Sequence, residues 1–336
     1  MSSKKSSTPS KFPESPVAMF ANLIEKLSAP FKGADPAPPP GRDALEISSE
    51  LIQKIRDIQV KTNHLVNHMM AGEYVSAFKG HGMEFSEVRE YFPGDDIRRI
   101  DWNVTARLDH PFIKEFREER ELTVMLMVDV SGSGGFGSQY ALKNEVAAEV
   151  ASILAFAAIK NNDKVGLIVF SDQIEHFIRP QKGRAHIWNV IRTILTFEPE
   201  GHRTHLNLPL DYLMRVQKRK SIAFLISDFQ ATDYMDSLRR ARKKHDLVAI
   251  HILDPREVEL PDAGLVHLED AETGETAWVD TSDEVFRKQY AIEKERERRE
   301  IQAALRSAGV DRIEIRSDRS LVNPIIHFFK MREKKH

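Results

Sequence analysis

Residues 122–133 read LTVMLMVDVSGS, an almost unbroken apolar run that ends in Asp129 and then presents hydroxyls at Ser131 and Ser133. A run this short and this rich in Val, Leu and Met is the pattern of a buried parallel strand, which helices cover on both faces. Open parallel sheets bind ligands outside the carboxyl ends of their strands. Asp129, Ser131 and Ser133 fall at that end, so three oxygens mark where a site is expected.

Downstream, strands alternate with helical segments. Gly134, Gly135 and Gly137 form a loop, and an Ala-rich helix over 140–158 leads to a second buried strand at 164–170. A short edge strand at 174–178, a helix at 185–195 and a loop at 197–204 follow. A helix over 206–219 then precedes a third buried strand, 221–226, which ends at Ser227 and Asp228. The remainder reads as a helix at 234–244, a strand at 247–253, a hairpin around Thr273 and Gly274, a charged helix at 282–308, a strand at 312–315 and a helix at 321–332. This alternation predicts an α/β fold with one doubly wound, mostly parallel sheet.

Upstream, 1–45 is rich in Ser, Pro and Lys and carries PAPPPG at 36–41, a composition that buries too little apolar surface to offset chain entropy. Within it, Val17, Phe20, Leu23, Ile24 and Leu27 recur at helical spacing, so 12–31 is either a short docking helix or part of a disordered tail. Ser48 and Ser49 precede a helical pattern through Leu51, Ile52, Ile55, Ile58 and Leu65. Over 80–121, Gly, Pro, aromatic residues and both signs of charge mix without helical period, which predicts short strands and turns at 93–95 and 109–111. The expected division is therefore a tail at 1–45, an N-terminal segment at 46–120 and a sheet domain at 121–336.

Composition narrows the function classes. Lys+Arg 49 against Asp+Glu 51 gives a formal net charge of −2, which predicts no polyanion partner. The sequence contains no Cys, which removes disulfide and zinc-thiolate chemistry. No stretch is apolar for long enough to span a membrane and the N-terminus lacks a signal-peptide core, so the expectation is a soluble cytoplasmic protein.

Thr204, in the loop before a helix, and Asp228, at the end of the third buried strand, join the first three oxygens. Two carboxylates and three hydroxyls at neighbouring strand ends make a hard donor set suited to Mg²⁺ or Mn²⁺. Magnesium keeps waters, so a partner's carboxylate has a coordination position to enter. This DxSxS pattern with its later Thr and Asp resembles the metal-ion-dependent adhesion site of von Willebrand factor A domains. The resemblance covers roughly 122–332 and assigns Asp129, Ser131, Ser133, Thr204 and Asp228 as metal ligands. His202-Arg203-Thr204-His205 stands where many such domains have Gly-Gly-Thr-Asp, and its basic flank implies weaker metal affinity. Separately, EVREYFPGDDIRRIDWNVTAR and EEREL, within 82–121, closely resemble the signature of the bacterial family called domain of unknown function 58. That resemblance implies a von Willebrand-like domain after the signature and a MoxR-type AAA+ ATPase as partner.

Competing motifs are weaker. His64 and His68 lie four residues apart without a His-Glu-x-x-His pattern, and the glycines at 132–137 lack the Lys of a phosphate loop. Charged residues in 80–121, from Glu84 to Arg107, form either a second polar site or an ion-pair network around Tyr91, Phe92, Trp102 and Phe112; alternating signs favour the network. The cations at 215–220 and 239–244 lie toward helix ends, where they favour the dipole, and EKERERRE from Glu293 reads as a solvated helix face. No general base is identifiable beside Ser131 or Ser133. The expectation is a non-enzymatic interaction module using Mg²⁺, with a metal-dependent hydrolase or a scaffold with an empty site as alternatives.

Overall fold

Strand β3, Thr123–Asp129, sits inside a six-stranded sheet, and from Val124 onward every residue in it is buried. In this computed structural model the described residues are 83–118, 121–132, 142–201, 203–269 and 276–334, with Tyr74, Ala77 and Phe78. The expected tail and both N-terminal helices, the His64/His68 pair, Ser133, the glycines at 134–137 and the hairpin tip at 273–274 lie outside them.

Before the sheet come β1 (Met83–Glu90) and β2 (Phe112–Glu118), an antiparallel pair whose connection holds a short helix, α1 (Trp102–Leu108). After β3 the chain forms α2 (Lys143–Lys160), β4 (Lys164–Phe170), β5 (Ile174–Gln181), α3 (Arg184–Thr196), α4 (Asn207–Val216), β6 (Ile222–Ser227), α5 (Met235–Lys244) and β7 (Asp246–Leu253). It continues through α6 (Pro255–Val258), the hairpin β8 (Leu265–Glu269) and β9 (Thr276–Asp280), α7 (Glu284–Ser307), β10 (Asp311–Arg316) and α8 (Val322–Glu333).

The sheet order is β10-β7-β6-β3-β4-β5, with every neighbouring pair parallel except the edge pair β4 and β5. The chain moves outward from β3 to β5, then returns to the other side of β3 and moves outward again through β6, β7 and β10. That is the doubly wound, Rossmann-type arrangement expected from the sequence, and its reversal point lies between β3 and β6.

The two-residue period of the strands divides the core into layers. Val124, Leu126 and Val128 face one cluster with Ile222, Phe224 and Ile226, covered by α2, α3 and α8. Met125 and Met127 face the other with Ala223 and Leu225, covered by α4, α5 and α7. Tyr74 and Phe78 enter the first cluster, where their rings pack on Phe329 at 5.7 Å each.

Three local outcomes differ from the sequence reading. The 80–121 segment contains α1, started by Asp101, whose carboxylate accepts the backbone N–H groups of Asn103 and Val104; this cap acts without the apolar period that would reveal a helix. Phe92 and Trp102 are 61% and 68% exposed, so they are not core residues of that segment, although Arg89 does link Asp95 and Glu115 in an ion-pair network. Helix α4 ends at Val216 rather than near Arg219, because Lys244 Nζ donates to the carbonyls of Met214 and Gln217 and caps the helix there.

Candidate functional site

The carboxyl ends of β3 and β6 meet at the sheet's reversal point. Asp129, the last residue of β3, keeps 8% of its surface exposed, and Asp228, immediately after β6, keeps 6%. Asp129 Oδ1 accepts the Ser131 backbone N–H at 3.0 Å, and Asp129 Oδ2 accepts the Ser227 hydroxyl at 2.7 Å. Thr204 Oγ1 donates to Ser131 Oγ at 2.8 Å across 73 residues of sequence. The structure thus brings Asp129, Ser131, Thr204 and Asp228 together, while Ser133 lies outside the described residues.

Each oxygen is held by its local chain. Beyond Asp228 the backbone turns sharply, with Phe229 at φ 59°, a left-handed conformation costly for a bulky residue. The cost is offset by anchoring: Phe229 N–H donates to Ser227 Oγ at 3.0 Å, its buried ring packs edge-on against His251 at 5.7 Å, and Gln230 N–H donates to Asp228 Oδ1 at 3.2 Å. The Thr204 loop is tied to the end of β4. His205 N–H donates to the Ser171 carbonyl at 3.1 Å, and Glu175 Oε1 accepts both Ser171 Oγ at 2.6 Å and Gly201 N–H at 3.0 Å.

On the β3 side, the hydrogen-bond partners of Asp129 among the described residues are neutral, the Ser131 backbone and the Ser227 hydroxyl. Burial, reinforced by the neighbouring Asp228 carboxylate, pushes the Asp129 carboxyl up from 3.8 to about 7, against the opposing hydrogen bonds of Ser227 and Ser131. On the β6 side Lys143, from the first turn of α2, places its ammonium 3.0 Å from Asp228 Oδ2 and also on Glu257 Oε1. Burial alone lowers the Lys143 pKa, but the two carboxylates outweigh it and the net shift is upward. Glu257 is pushed upward by burial despite Lys143. Burial, with Arg312 beside it, depresses His251 to about 3, so this imidazole is neutral at physiological pH.

Ser227, Lys143 and Glu257 adjoin the candidate site and are not singled out by the sequence. Ser227 adjoins a singled-out aspartate, and Asp254-Pro255-Arg256-Glu257 is a legible capping box whose Glu257 side chain accepts the Asp254 N–H. Lys143 has no local signature.

The donor set fits a hard divalent cation. It offers two buried carboxylates and two converging hydroxyls; because no group of three or more Asp, Glu, His or Cys among the described residues is arranged to hold a metal ion, the fit rests on the hydroxyls as much as on the carboxylates. Few carboxylates together with neutral oxygens and water is the environment Mg²⁺ accepts.

Comparisons with known proteins identify a family and several structural neighbours. The family described as "Protein of unknown function DUF58" matches residues 87–300. An uncharacterized protein of Mycobacterium tuberculosis is 32% identical over 288 residues, 85% of this chain and 90% of that one. Among solved structures, an aerotolerance-related membrane protein from Bacteroides fragilis aligns over 64% of this chain and 100% of its own, at 14% identity and a TM-score of 0.43. The SpRpn10 VWA domain aligns over 61% of this chain and 94% of its own, at 12% identity and a TM-score of 0.37. The family match covers well over half of the sequence and includes most of the signature stretch at 82–121, so this chain belongs to the DUF58 family.

Proposed function

We propose that this chain is a protein-interaction module in which Asp129, Ser131, Ser133, Thr204 and Asp228 hold Mg²⁺ or Mn²⁺ and thereby capture an acidic side chain of a partner. The observation that carries the reading is the pair of buried carboxylates at the reversal point of the sheet, bordered by the hydrogen-bonded hydroxyls of Ser131 and Thr204. Burying two carboxylates together is costly unless a cation joins them. A bound divalent ion supplies that charge and a Lewis-acidic position for the partner's carboxylate.

The chain's own residues prepare the place. Ser227 orients Asp129, the Phe229 turn aims Asp228, and the Glu175 anchor holds the Thr204 loop. The reading is non-enzymatic, since the Ser131 hydroxyl is engaged by Thr204, and the neutral His251 is held between Phe229 and Arg312. A MoxR-type AAA+ ATPase is the proposed partner, on the strength of the family resemblance.

Isothermal titration of the metal-stripped chain with Mg²⁺ and Mn²⁺ tests the metal. Binding is expected, and Asp129→Ala should weaken it at least about tenfold, one step of 1.4 kcal/mol. No binding at millimolar metal, or undiminished binding by Asp129→Ala, would overturn the reading. Retention of the ATPase on the immobilised chain should fall when a chelator is added. Mg²⁺-dependent turnover in a phosphatase, nuclease or peptidase panel that Asp228→Ala abolishes would establish a hydrolase instead.

A further inference from the structure

Among the described residues, Lys143 is the one buried cation at the site. Its side chain is 5% exposed, as little as that of Asp228, and a lysine is almost never so buried unless paired. Both of its partners are carboxylates, and one of them is a proposed metal ligand.

The two partners are held independently of the lysine. Asp228 gives Oδ1 to the Gln230 N–H at 3.2 Å and Oδ2 to the Lys143 ammonium at 3.0 Å. Glu257 is fixed within α6, where its Oε2 accepts the Asp254 N–H at 3.2 Å, and Oε1 is left facing Lys143 and, at 3.4 Å, Gln230 Nε2. An ammonium on a flexible four-carbon stem moves between two such acceptors more readily than a planar guanidinium would.

We infer that Lys143 is a tethered cation that competes with the divalent ion for Asp228, and that Glu257 is the second seat that keeps the ammonium when the ion binds. This rests on the metal reading above and adds the element that sets the ion concentration at which the site fills. Two cations drawing on one carboxylate repel each other more strongly in a buried site than in open solvent. Entry of the ion therefore requires the Lys143 ammonium to leave Asp228 for Glu257. Without the lysine the site binds the ion more tightly; without the Glu257 charge, the ammonium stays on Asp228 and the ion binds more weakly.

The experiment is Mg²⁺ titration calorimetry on the metal-stripped full chain, Lys143→Met and Glu257→Gln, with thermal melts in the presence and absence of Mg²⁺. Lys143→Met should bind Mg²⁺ about tenfold more tightly than the native chain, and Glu257→Gln about tenfold more weakly. Lys143→Met should also melt lower without Mg²⁺ and gain more from adding it. General loosening of the fold would weaken both variants, so opposite signs are specific to the competition. If the native chain binds Mg²⁺ and Lys143→Met binds it equally or more weakly, the inference fails and the metal reading stands. If only Lys143→Met binds, the inference stands and the metal reading of the native chain fails; if neither binds, both fail. Should Lys143→Met not fold, Glu257→Gln decides: weaker binding supports the inference, and unchanged or tighter binding overturns it.

Discussion

Asp163, in the turn between α2 and β4, shows how one residue ties distant segments together and what that costs. Its Oδ1 accepts the Leu122 N–H at 2.8 Å and its Oδ2 accepts the Tyr74 hydroxyl at 3.1 Å, so the start of β3 and the N-terminal segment both hang on it. Burial raises this carboxyl from 3.8 to about 6, although both hydrogen bonds pull the other way. The folded chain therefore binds this proton more tightly than the unfolded chain does. The group's contribution to stability is fullest below about 4 and is lost as pH rises through about 6. In Asp163→Asn the amide oxygen still accepts from Leu122 and the amide nitrogen donates to Tyr74. Urea denaturation of this variant should lack the pH slope in that window, and at pH 8 the variant should be more stable by about 1–2 kcal/mol after allowance for solvent screening. An unchanged slope would show that Asp163 is not its source.

At the scale of elements, the site depends on how the Thr204 loop meets the end of β4. A Cβ on Gly201 would overlap the Asp172 carboxylate and the Ser171 hydroxyl, and the Ser171 carbonyl holds His205, next to Thr204. Gly166 is also crowded, though less closely, with Met125 Sδ 2.8 Å and Pro180 Cγ 2.9 Å from where a Cβ would stand, and it lies within β4 among core side chains. Both Gly→Ala changes should destabilise by about 1–3 kcal/mol through overpacking. Gly201→Ala should in addition weaken Mg²⁺ binding several-fold, whereas Gly166→Ala should leave it unchanged. Melts and calorimetry on the two variants separate these effects. Equal loss of binding in both would mean that the loop has no special link to the site.

For the molecule as a whole, the sheet's core extends to residues far upstream of β3. Phe78 is buried against Phe224 and Phe329 and lies under the Arg332 guanidinium at 5.0 Å, while Arg332 is itself paired with Asp246 and Asp311. Phe78→Ala should cost about 3–5 kcal/mol, seen as a lower denaturation midpoint with one cooperative transition. A separate early transition would mean instead that the N-terminal segment unfolds on its own. The sheet around that core was legible in the chain: runs such as Val124–Val128 and Ala223–Leu225 are apolar on both faces, as strands covered by helices on both sides require. Helix α1 was hidden because a capping aspartate, rather than apolar spacing, starts it. The burial of Phe78 depends on what the fold brings above it. Of the expected site residues, Asp129, Ser131 and Asp228 stand out by residue type at or just beyond a strand end and Thr204 by its loop before a helix, and the structure brings these four together. The tertiary structure alone decided that Lys143 reaches Asp228 across 85 residues and Glu257 across 114. A cation's place among buried carboxylates is set by which distant elements pack together, and no local pattern in the chain encodes that distance.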